Sequence, residues 1–332
     1  MRQISVARPS LIISTGYVPA GPFRGRSIQG PGVRLLTVRH VSIYRYSVPV
    51  SLGEHWMMFR PRESHDLRLT SSHLAIFPKP SSLRWLHDVF DNSLAVATFD
   101  GQATELSFES AVSLEHYESQ RPHYQLASEA RFFPFEYSDD DRSNLWRALQ
   151  RRYPSDDVTS WAQSFVSYGQ TIETMTLLTA MTLATREAFA YRRRLERGTQ
   201  TPGETLQLGT GSCRDFALFL MEAVRSLGLA ARFVSGYIFV PDIGPEKYIG
   251  GGATHAWVQV YLPGAGWIDF DPTNSIIGNR NLIKVAVAMD PADVPPLWGT
   301  FTGPSGAFMG LEVNVSVTDD TYSQPQSAAG YR

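Results

Sequence analysis

The chain has one cysteine among its 332 residues, so no intrachain disulfide can form and bridges say nothing of its compartment. It has no cysteine pair and no His-x-x-x-His spacing, so no metal and no other cofactor is expected. A net charge of −2 supplies no basic field for a phosphate backbone, which argues against a nucleic-acid partner. No apolar run approaches the ~20 residues a membrane-spanning helix needs. Residues 1–36 contain five arginines and no acid, and their apolar piece, Leu11-Ile-Ile13, is too short for a secretory core of ~7–15 residues. They are expected to be a disordered leader or the product of a start codon assigned too early, with the cytoplasm as the default location. What remains, by length, is a soluble chain of two domains.

The lone cysteine is well placed. Cys213 lies in Gly-Thr-Gly-Ser-Cys-Arg-Asp-Phe-Ala, where a glycine-rich loop runs into a helical pattern. Phe216, Ala217, Leu220, Val224 and Leu227 recur at three- and four-residue steps and make one apolar stripe. Ser212 suits the N-cap, and Gly228 the left-handed position after the last turn. Asp215 falls in the first turn, where it is expected to face solvent or pair with Arg214. The unpaired N–H groups and the positive dipole end of a helix start favour thiolate over thiol, so Cys213 is expected to titrate below the ordinary ~8.5.

Of eight histidines, only His255 follows Cys213. It opens a strand over 255–262 that puts His255, Trp257, Gln259 and Tyr261 on one face. Pro-Gly-Ala-Gly then turns the chain into a second strand ending at Asp271. With an odd number of loop residues Asp271 shares the face of His255; an even number would need a bulge. Asp269, two residues earlier, has the same parity, so alternation alone does not choose between the two aspartates. Cysteine, histidine and aspartate in this order suggest a nucleophile, a base and an orienting acid. Trp257 and Tyr237 are candidates for lining an acyl site.

These segments carry a specific resemblance. Gly211-Ser-Cys-Arg-Asp-Phe-Ala, Val224-Arg-Ser-Leu-Gly-Leu-Ala-Ala-Arg-Phe-Val-Ser-Gly-Tyr237, Thr254-His-Ala-Trp-Val-Gln-Val-Tyr and Gly266-Trp-Ile-Asp-Phe-Asp-Pro-Thr-Asn274 resemble the core of the bacterial transglutaminase-like superfamily over about 171–274. Upstream, Val38-Arg-His-Val-Ser-Ile-Tyr-Arg-Tyr, Phe59-Arg-Pro-Arg-Glu and Ile76-Phe-Pro-Lys-Pro resemble the small β domain that precedes that core in one bacterial subgroup. The resemblance implies a papain-like triad of Cys213, His255 and Asp271, the aspartate of the Asp-Pro-Thr position, working through a thioester. By analogy with papain-like enzymes, Gln207 would join the Cys213 N–H in meeting the oxyanion. A peptide or protein substrate is implied. Hydrolysis by a cysteine protease or amidase is the first reading, cross-linking acyl transfer the second, and a catalytically silent peptide-binding module the third.

The implied fold is α+β: a small antiparallel β domain, then a papain-like core with the nucleophile at a helix N-terminus packed on an antiparallel sheet. The expected organisation is a leader over 1–36, the β domain over 37–120, the catalytic core with C-terminal strands over 140–317, and a flexible tail over 318–332. Asp91-Asn92 and Asp100-Gly101 read as hairpin turns. Helices are expected over 144–152, 158–166 and 174–191, leading to a basic run, Arg192-Arg-Arg194, read as a solvated face. Residues 198–205 read as a turn-rich connector, and 241–253 as a flexible glycine-bearing loop. Apolar runs at 282–289 and 311–317 read as strands extending the core sheet.

Overall fold

The computed structural model describes residues 11–12, 33–117, 124–194, 198–241, 249 and 251–321. Most of the expected leader and tail, and most of the glycine-bearing loop, lie outside the described residues.

The N-terminal sheet is organised by one strand of 25 residues, β1 (Val33–Met57). Its inward positions follow a period of two: Leu36, Val38, His40, Ser42, Tyr44 and Tyr46 are all buried. It starts at Val33, so the leader boundary drawn at residue 36 falls inside the strand. β1 runs antiparallel to β5 (Gln102–Tyr117), with Tyr44 opposite Leu106 and Val38 opposite Val112. The ladder shifts register between Arg45 and Val50, around Pro49, which has no N–H to give it. β2 (Leu67–Phe77) extends the sheet beyond β5, and β3 (Ser82–His87) and β4 (Ser93–Thr98) form a hairpin beside the far end of β1. Asp91 and Gly101 adopt positive φ in the turns before and after β4, as the turn residues suggest.

Four helices cover residues 139–208. The acidic run forms the first turn of α1 (Asp139–Leu149), capped by the Ser138 hydroxyl, and α2 (Asp156–Gln163) and α3 (Thr174–Ala188) follow. The expected turn-rich connector is instead a helix, α4 (Pro202–Leu208). Thr201 and Glu204 cap it reciprocally, and Pro202 occupies its first turn, where a missing N–H costs nothing.

The core sheet is antiparallel throughout: β6 (Ala231–Ile238), β7 (His255–Leu262), β8 (Gly266–Asp271) and β9 (Leu282–Ala288), in the order β8-β7-β6-β9, with the short strand Ile276–Ile277 outside β8. α5 (Cys213–Ser226) packs on β6 and β7 and is covered on its other sides by α2, α3 and α4. It therefore departs from the single-stripe reading. Even Glu222 and Arg225 are buried, paired at 2.8 Å. Glu222 also accepts the N–H groups of Arg152 and Tyr153, and Arg225 donates to the carbonyls of Ala148, Ala231 and Met289. Such complete pairing is what lets ions sit inside a helix bundle.

One C-terminal expectation is overturned. Residues 282–288 do extend the core sheet, but β10 (Leu297–Thr302) and β11 (Phe308–Asp319) return to the N-terminal sheet and pair with β1. β11 runs beside β1 from Tyr46 opposite Phe308 to Leu36 opposite Asp319. The physical reason is supply of edges: β1 is long enough to offer its second edge to both strands, and Leu311, Val313 and Val315 bury against the same core. The result is a mixed fold, an N-terminal antiparallel sheet followed by a core in which the Cys213 helix packs on a second antiparallel sheet.

Candidate active site

Cys213 is the first residue of α5 and 6% exposed. The approach to it is fixed by a short parallel pairing of Thr210–Gly211 with Ala190–Tyr191. A side chain at Gly211 would collide with Asp215 and Phe216, so the loop can lie this close only with glycine there. Asp215 neither faces solvent nor pairs with Arg214. It is fully buried and accepts four hydrogen bonds, from Ser212 N (2.8 Å), Ser212 Oγ (2.7 Å), Arg194 Nη1 (2.9 Å) and Gln200 N (2.7 Å). Its carboxylate is thus spent on holding the loop rather than opposing the sulfur. Arg214 turns to the Pro291 carbonyl (2.6 Å) and lies over the Phe233 ring.

His255 and Asp271 meet because the β7–β8 loop, Pro263-Gly-Ala265, has three residues and Leu262 pairs with Gly266. That odd count puts both side chains on one face. The His255 Nε2–Asp271 Oδ2 distance is 2.8 Å, both side chains being fully buried. Asp271 Oδ1 accepts from Thr273 N (2.8 Å), and Oδ2 also accepts from Asn274 Nδ2 (3.0 Å). Nδ1 of His255 is buried with no hydrogen-bond partner. Burial alone would lower the His255 pKa, but the Asp271 carboxylate and the Cys213 sulfur outweigh it and push it up to about 10. With Nε2 committed to the aspartate, Nδ1 is the nitrogen left for the thiol.

Asp269 has a different occupation. It accepts from Trp257 Nε1 at 2.6 Å, and burial raises its pKa against the pull of Lys284. Trp257 is fully buried, its ring stacked 6.0 Å from that of His255, and it does not reach the cleft. Tyr237 is also buried outside the cleft lining, its hydroxyl 2.9 Å from His40 Nδ1. Neither side chain is part of the cleft lining, where both were expected. Gln207, expected to help meet an oxyanion, is exposed on α4 and outside the cleft lining.

A cleft of about 530 Å³ opens over Cys213. One wall comes from the core, including Tyr191, Ser212 and Thr254; the opposite wall comes from the N-terminal sheet, through His40, Ser42, Leu311 and Val313. His40 is neutral, its pKa pushed down to about 3 by burial. Tyr191 is raised above the ordinary phenol range by burial and then by the neighbouring Cys213 sulfur. Its hydroxyl makes no hydrogen bond among the described residues. The sequence reading passed over Tyr191, His40 and Asn274. His40 had a signal, an inward position in the alternation of β1; Tyr191 had none, because its place depends on pairing with residues 210–211.

Comparison with known proteins agrees with this architecture. Residues 36–115 match the bacterial transglutaminase-like N-terminal region, and residues 159–272 match the transglutaminase-like superfamily. Uncharacterized proteins of Mycobacterium bovis and Mycobacterium tuberculosis are 27% identical over 306 residues, spanning 86% of this chain and 93% of their own length. An uncharacterized protein of Mycobacterium leprae is 35% identical over 108 residues, 32% of this chain and 37% of its own. The crystal structure of a candidate cysteine protease from Cytophaga hutchinsonii has the same fold, with a TM-score of 0.63 at 17% identity over 87% of this chain and 92% of that one.

Proposed function

We propose that this chain, which carries the bacterial transglutaminase-like N-terminal region and a transglutaminase-like core, is a thiol hydrolase of amide bonds in peptides or proteins. The observation that carries the reading is the buried His255–Asp271 pair beside a cysteine at a helix start. Cys213 Sγ, its proton passed to His255 Nδ1, attacks the carbonyl carbon, and the carbonyl electrons move onto oxygen. The backbone N–H of Cys213, at the start of α5, and the Tyr191 hydroxyl receive that oxyanion. On collapse the C–N bond breaks, and His255 gives its proton to the departing amine, leaving a thioester on Cys213. His255 then takes a proton from water, whose oxygen attacks the thioester and releases the acid and the thiol. Asp271 holds the ring and its tautomer throughout.

Water is the first-choice acceptor because the cleft opens to solvent and Ser42, Ser212 and Thr254 put hydroxyls into walls that are otherwise largely apolar. Cross-linking transfer to an amine is the alternative and uses the same thioester. Incubation with a peptide library, followed by mass spectrometry, separates them: cleaved peptides support hydrolysis, and isopeptide-linked pairs would replace it with transfer. Cys213→Ser should lower turnover by about 10³-fold or more with the fold intact, and Tyr191→Phe by about 10²-fold, mostly in kcat. An unreactive Cys213, tested by iodoacetamide labelling, would leave only a binding module.

A further inference from the structure

The basic run Arg192-Arg-Arg194 is not a uniform solvated face. Arg194 is 13% exposed and held by Asp215, and Arg192 is exposed and not part of the cleft lining. Arg193 lines the cleft two residues beyond Tyr191, and among the described residues no carboxylate lies within ion-pair reach of it. Burial lowers its pKa, opposed only by Tyr191, as for a partly desolvated cation without an anion. Asp290, the one acid in the cleft wall among the described residues, is already engaged, since it accepts from Tyr153 Oη (2.8 Å) and Ala292 N (2.8 Å) and lies 3.4 Å from Arg152. Among the described residues, therefore, the cleft that holds Cys213 also carries an exposed guanidinium with no carboxylate partner, a fork suited to a planar carboxylate.

We propose that Arg193 binds a carboxylate of the substrate, so that the cleft selects peptides bearing an acidic side chain or a free C-terminus next to the amide it attacks. This rests on the reading of the cleft as an acyl-transfer site for peptides.

The test uses the full chain with Cys213→Ala, which removes turnover, and hexapeptides carrying Glu, Gln or Lys at one scanned position, each with a free or an amidated C-terminus. Peptides with the carboxylate should bind about tenfold more tightly than their neutral counterparts, as a charge-assisted contact predicts. The Glu arm and the free-terminus arm tell the two carboxylate sources apart. Arg193→Gln should abolish the preference and Arg193→Glu turn it towards Lys, while Arg192→Gln, one residue away but outside the cleft, should leave it unchanged. Equal binding of charged and neutral peptides, or a preference that survives in Arg193→Gln, would overturn the proposal. Carboxylate preference with no peptide cleaved by the wild-type chain would sink the hydrolytic reading and leave the Arg193 site standing; cleavage with no preference would do the reverse.

Discussion

At the scale of single residues the distribution of charge around His255 sets testable limits. Its folded pKa is raised to about 10, against ~6.5 for an unfolded histidine. The stabilisation this brings is complete below about pH 6.5, where the ring is protonated in both states, and is lost as pH rises through about 10. The melting temperature of the wild type should therefore exceed that of His255→Gln by most near pH 6, and the gap should close towards pH 10; a gap independent of pH would refute the raised value. The two aspartates should also separate. Asp271→Asn should cut kcat by about 10³-fold or more, because the ring loses the acceptor that fixes its tautomer. Asp269→Asn should leave kcat within about threefold and lower the melting temperature, since it weakens contacts to Trp257, Gln259 and Lys284 and none to His255. Equal kinetic losses in the two variants would contradict the assignment. Their shared parity hid this difference in the sequence, where the Asp-Pro-Thr resemblance alone separated them. The ring nitrogen differs from the triad expectation, which sets the aspartate on Nδ1: here Nε2 faces Asp271, because of where β8 ends relative to His255, a distance that alternation does not encode.

Among the elements, α5 was the most legible, because its period, its Ser212 cap and its glycine stop agree. Its surroundings were not. Asp215 finds its partners at Arg194 and Gln200, 21 and 15 residues upstream, and no local rule reaches that far. Composition also hid α4, since Pro-Gly-Glu-Thr looks like a turn, although Thr201 and Glu204 stand at capping-box spacing with Pro202 behind the cap. The element-scale prediction follows from Asp215. Asp215→Ala should destabilise the fold by about 3 kcal/mol, because it removes the acceptor shared by the Arg194 guanidinium, the buried Gln200 N–H and both donors of Ser212. Urea unfolding measures this, and a loss below about 1 kcal/mol would mean that the loop before Cys213 is held by something else.

For the molecule as a whole, the strands over 297–302 and 308–319 were visible as apolar alternation, but alternation names a strand and not its partner. Their return to β1 joins the two domains through one sheet. Removal of residues 297–332 should bare one edge of β1 along with the apolar face that Leu311, Val313 and Val315 cover. The shortened chain is expected to self-associate and to lose peptide turnover even with its triad present. Size-exclusion chromatography and peptide cleavage check this, and a monomeric, active product would show that β11 is dispensable. The same strand order has a temporal side. A ribosome makes Cys213, His255 and Asp271 before it makes β11, so in a growing chain these three residues exist before the wall carrying Leu311 and Val313 does. The cleft is whole only when that late strand lies beside β1, so on the function proposed above a chain still under synthesis would lack one wall of its substrate site.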